Sequence, residues 1–140
     1  MFEETLIPLQ LIKDLKLLKG KTRLQKLVFL IQKEATKRNV QTSSFSYEIY
    51  RYGPFSFELA SALENLVTEQ FIEERIQTTP NGYTKYVYEL TTKGERLLED
   101  AKKKNLISSE IETIIRNTAN EFGEVQLSDV VSEAYRKYAE

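Results

Sequence analysis

Apolar residues at Leu59, Ala62, Leu63, Leu66 and Val67 recur at the spacing of one helical stripe, and Glu58, Ser61, Glu64, Asn65 and Thr68 fall on the opposite face. Gly53-Pro54 interrupts whatever precedes this helix, and Ser56 is placed to cap it. The period then changes. Phe71 to Thr78 and Tyr83 to Thr91 read as strands, and Thr79-Pro-Asn-Gly82 between them has the Pro and Gly placement of a hairpin turn. Upstream, Leu11, Leu15 and Leu18 predict a helix over 5–19, with Pro8 in its first turn and Gly20 at its end. Thr22-Arg-Leu-Gln25 has the form of a capping box, opening a second helix that runs to about Arg38. Its stripe is Leu24, Leu27, Val28, Ile31 and Ala35; Phe29 and Leu30 widen it, as expected of a central helix buried on more than one side.

Asn39 to Ser44 is polar and aperiodic and reads as a loop, after which Phe45, Tyr47 and Ile49 alternate as a short strand ending at Tyr52-Gly53-Pro54. Two more capping boxes, Thr92 to Glu95 and Ser109 to Glu112, open helices carrying Leu97, Leu98 and Ala101, and Ile111, Ile114, Ile115, Thr118 and Phe122. Ser128 is placed to cap a last helix with Val130, Val131, Ala134 and Tyr138 in phase. The order helix, helix, strand, helix, hairpin, helices predicts an α+β protein: a winged helix-turn-helix with a β-hairpin wing and additional C-terminal helices. Residues 1–105 would form the winged-helix domain. Residues 106–140 would pack on it or form a dimer interface.

Composition narrows the chemistry. At 140 residues the chain suits one domain, and no apolar run approaches the roughly 20 residues that cross a bilayer, so no membrane association is expected. The N-terminus carries acids where an export signal has basic residues, which points to the cytoplasm. The chain has neither Cys nor His, so thiolate catalysis, zinc fingers and the commonest general base are missing; no enzyme activity and no cofactor or metal is expected. The net charge of -1 conceals a segregation: residues 13–38 carry nine Lys/Arg against two acids, residues 56–77 five Glu against Arg75, and residues 105–140 seven acids against three bases. Such asymmetry fits a nucleic-acid surface, self-association or solvated helix faces.

Lys21-Thr-Arg-Leu-Gln-Lys-Leu-Val-Phe-Leu-Ile-Gln32, Tyr52-Gly-Pro-Phe-Ser56, the Leu59/Leu63/Leu66 spacing and Tyr88-Glu-Leu-Thr-Thr-Lys-Gly94 together resemble the YwgA-like family of bacterial and archaeal proteins. They are more distantly similar to Panacea-type (SocA-like) antitoxin domains, which share a Lys-Leu-Gln-Lys-Leu-type helix and a Tyr-Gly-Pro turn. Leu127-Ser-Asp-Val-Val and Tyr135-Arg-Lys-Tyr138 resemble the family's closing helix. The resemblance implies a winged-helix-like domain and carries no catalytic residue; DNA-binding regulators and protein-binding antitoxins or adaptors both occur in such families.

Two functions are therefore expected as alternatives. The first is a transcriptional regulator binding double-stranded DNA, as a homodimer. Lys21, Arg23 and Lys26 would contact phosphates, Arg51, Ser56, Ser61 and Asn65 would contribute from the turn and recognition helix, and Lys85 from the wing. The helix meant for the groove has no Lys or Arg, which removes the commonest guanine contact. The second is a protein-interaction module whose partner meets the acidic residues Glu58, Glu64 and Glu69. The two separate on where the basic residues gather in three dimensions.

Overall fold

The computed structural model describes residues 2–42 and 45–140, with side chains from Thr5 onward. Ser43 and Ser44 of the expected loop lie outside the described residues. The first helix, α1 (Phe2–Leu15), places Leu6, Leu9, Leu11 and Ile12 in the core. Pro8 lies well inside it rather than in its first turn. The helix stops four residues earlier than its stripe suggests: Lys16 takes a positive φ of 69°, and Leu18–Lys19 form a short strand, β1. Leu18 is fully buried all the same, since a buried leucine satisfies a helix stripe or a strand face equally.

Gly20, at φ 104°, turns the chain into α2 (Lys21–Lys37). The expected capping box is not formed here. No side chain caps α2, and Gln25 is instead buried, its amide accepting from Ser56 N at 2.8 Å and donating to Ser56 O at 3.0 Å. Two helical turns further on, Gln32 treats Phe45 the same way, accepting from its N at 3.1 Å and donating to its O at 2.9 Å. Both ends of the segment 45–56 are thus tied to one helix by side-chain amides that stand in for a neighbouring strand.

Between those ties the chain forms a hairpin, β2 (Glu48–Tyr50) and β3 (Gly53–Phe55), pairing Tyr50 with Gly53 across the Arg51-Tyr52 turn. The strand expected at 45–49 therefore begins later, and Gly53-Pro54 does not end it but opens its return. Gly53 adopts φ 97°, and a Cβ there would lie 3.3 Å from the Tyr135 ring. Ser56 caps α3 (Phe57–Thr68) as expected, its Oγ accepting from Leu59 N at 3.1 Å; Leu59, Ala62, Leu63 and Leu66 are the buried stripe.

The chain then crosses to β4 (Ile72–Thr78), turns at Pro80-Asn81-Gly82 and returns as β5 (Thr84–Leu90), the expected hairpin. β1 adds to the far edge of β5, so the sheet order is β1-β5-β4, all antiparallel. α4 (Thr92–Lys103) is capped by Thr91 and α5 (Ser109–Phe122) by Ser108, each one residue before the box residue expected to cap. α6 (Leu127–Tyr138) follows Gln126 with no side-chain cap, so Ser128 lies inside the helix rather than before it. α5 packs on α1 and α2, and α6 on α2 and β3. Ile111, Ile114, Ile115, Ala119, Val130 and Ala134 join the same core cluster as the leucines of α1 to α3.

Candidate functional site

Every residue of α2 from Leu24 to Ile31 is buried, Lys26 among them. Lys26 is covered by β3: Gly53 approaches its Cε, and Pro54 lies against its Nζ. Its Nζ donates to Pro54 O at 2.9 Å, and burial pushes its pKa down to about 8. Together with Gln25, it fixes β3 against α2 and leaves the Arg51-Tyr52 turn projecting.

The projecting end is aromatic. Tyr50, Phe55 and Phe57 form a cluster with ring centroids 5.4 Å apart for Tyr50 and Phe55, 5.0 Å for Phe55 and Phe57, and 6.1 Å for Tyr50 and Phe57. Tyr50, Tyr52 and Phe57 are each more than half exposed, at 54%, 57% and 57%. Large rings left in water at a hairpin tip are not core residues, and Phe57 meets Tyr50 and Phe55 edge to face. Beside this end, a cavity of about 530 Å³ lies between the start of α2, one side of α3 and the β2–β3 turn. Its apolar lining includes Leu24, Phe55, Leu63, Val67 and Tyr88. The Tyr88 hydroxyl donates to Glu74 Oε2 at 2.7 Å, and this bond together with burial raises its pKa.

Of the residues singled out from sequence, Lys21, Lys26, Arg51 and Glu64 line this cavity, and the others lie away from it. Lys21 is exposed at the cavity mouth, with Nζ 4.4 Å from the Tyr86 ring centroid on the β5 side. Arg23 points elsewhere, donating to Phe122 O at 3.0 Å and so completing the C-terminal end of α5; burial lowers its pKa. Lys26 is interior and not available to a phosphate backbone. Arg51 is exposed on the turn and lines the cavity, whereas Ser56 is fully buried and occupied by its cap. Ser61 and Asn65 are exposed on α3, and Lys85 is half-buried opposite Gln77. Glu58 accepts from Ser46 N at 2.7 Å, Glu64 lines the cavity, and Glu69 is the exposed residue closing α3. Of the basic stretch that is continuous in sequence, Lys21 and Lys26 therefore meet at the cavity, while Arg23 turns away to the end of α5. The exposed aromatics Tyr50, Tyr52 and Phe57 were not among the expected site residues; their density around Tyr52-Gly-Pro-Phe-Ser-Phe57 was the signal that could have found them.

No protein-family model matches the chain. Over 83 residues, 59% of this chain, it is 31% identical to the uncharacterized protein YwgA of Bacillus subtilis (strain 168), and the matched stretch is 46% of that protein. The match supports a YwgA-like relationship. Among the described residues, no helix is long and apolar enough to cross a membrane.

Proposed function

We propose that the chain is a non-catalytic, protein-binding module of winged-helix type that docks a basic, partly apolar segment of another protein. The order α1-β1-α2-β2-β3-α3-β4-β5, with β1 pairing on the outer edge of the β4–β5 hairpin, supports a winged-helix reading in which the β2–β3 hairpin is inserted between α2 and α3. The observation that carries the docking reading is the exposed aromatic cluster at the β2–β3 turn, lying next to a helix whose exposed face carries Glu58, Glu64 and Glu69 and no base. Aromatic side chains supply contact area, and the acids select a cationic partner. The resemblance to Panacea-type antitoxin domains agrees with a protein partner.

A Lys- and Leu-rich amphipathic peptide tests this. Binding should fall by roughly tenfold or more on Phe57→Ser with Tyr50→Ser, and again on Glu64→Lys, consistent with central anchors and an electrostatic rim. Binding that ignores the aromatic pair overturns the proposal.

The DNA reading is kept by one observation: Lys21, Arg51 and Lys85 remain at the surface, and Ser61 and Asn65 are free on α3. Retention on duplex DNA at low salt that is lost when Lys21, Arg51 and Lys85 are reversed to Glu would favour it. Arg23 and Lys26 are unsuited to that experiment, because their internal bonds make their reversal a test of folding.

A further inference from the structure

Lys26 is a buried cation without a counter-ion. Its residue is 1% exposed, one carbonyl takes one of its three donors, and no carboxylate among the described residues is bonded to it. A lone ammonium in such a place is unfavourable unless an anion joins it. The cavity beside it is where that anion has room. Three cations, Lys21, Lys26 and Arg51, line it against two carboxylates, Glu64 and Glu74, and Glu74 is already engaged by Tyr88. The excess is a single positive charge. The first turn of α2 also lines the cavity at Lys21 and Thr22, and it has no side-chain cap and no acidic residue, so its N–H groups favour an anion as well. The rest of the wall is largely apolar, and about 530 Å³ is the size of a small-molecule site.

We propose that this cavity binds a small, mostly apolar molecule through one carboxylate, which takes Lys26 as its counter-ion. A monoanion balances the single excess charge, whereas a phosphate dianion would overshoot it. This site shares Tyr50, Tyr52, Phe55 and Glu64 with the docking surface, but its carboxylate contact is at Lys26, which the docking reading does not use, so the acid-against-amide comparison tests it separately.

The test uses 3-phenylpropanoate and its uncharged amide as probes, followed by NMR of the intact protein with labelled lysine and methyl groups. The acid should cause saturable shifts at Leu24, Leu63 and Val67 with affinity on the millimolar scale or tighter, and should bind roughly tenfold better than the amide. Saturation should raise the titration midpoint of the Lys26 amine, because a bound carboxylate favours the ammonium. Lys26→Met should remove the preference for acid over amide. Acid and amide binding alike, an absence of saturable shifts, or an unmoved Lys26 midpoint would each overturn the proposal. These comparisons need only the unmodified chain, so they stand even if Lys26→Met does not fold. A peptide whose free C-terminal carboxylate binds Lys26 far more tightly than the small acid would overturn the assignment to a small molecule.

Discussion

At Lys26 the cost of burial is measurable through pH. Its folded pKa of about 8 lies below the ordinary 10.5, so the unfolded chain holds more protons between those values and stability rises with pH across that window. The destabilisation is fully present below pH 8 and relieved toward 10.5. Tyr47 and Tyr88 act in the opposite sense above about pH 10, because burial raises both phenols and the unfolded chain ionises first. Urea unfolding at pH 7.5 and 9.5 should therefore show the higher stability at 9.5, and Lys26→Met should flatten the difference. Gly94 imposes a different constraint. A Cβ there would lie 2.2 Å from Phe71 O and 2.8 Å from Leu90 Cδ1, so Gly94→Ala should cost several kcal/mol, about the upper end of single substitutions. Thermal unfolding of that variant checks it.

Among the elements, α3 was the most legible from sequence, since its stripe, its cap and its exposed face follow from spacing and from Ser56 alone. Leu66→Ala should cost about 2–5 kcal/mol by denaturant unfolding. Leu63→Ala should cost less than Leu66→Ala, because Leu63 already borders the cavity and its truncation enlarges an existing space. The helix caps were misplaced by one residue at Thr91 and Ser108 because two hydroxyl or amide-bearing residues stand side by side at each start, and only backbone geometry chooses between them. β1 was hidden because Leu18 fits the stripe of α1, while its pairing with Tyr88 lies seventy residues along the chain. Lys26 was read as a surface phosphate contact and Gln25 as part of a capping box for a similar reason. Their burial comes from the segment 53–56, which packs on α2 through Gly53, Pro54 and Ser56 and lies about thirty residues along the chain.

For the whole molecule, the C-terminal pair is part of the core. α5 and α6 bury Ile114, Ile115, Val130 and Ala134 against α1 and α2, and Arg23 completes the end of α5. A chain cut after residue 105 should lose cooperative unfolding and expose apolar surface to dye. It should not sediment as a smaller folded unit. The charge pattern shows the same dependence: of the nine bases in residues 13–38, Lys21 and Lys26 line one cavity from its mouth and its interior, while Arg23 is turned to the end of α5. That redistribution is a property of tertiary packing and could not be counted along the chain.

The contact between Gly53 and Tyr135 also sets an order of assembly. The hairpin bearing the exposed rings is made early, but one of the surfaces that hold it belongs to α6, more than eighty residues downstream. Contacts so distant in sequence form late, and during synthesis they wait until α6 has emerged from the ribosome. A nascent chain would then display the aromatic residues of the β2–β3 turn before α6 could hold the hairpin in register.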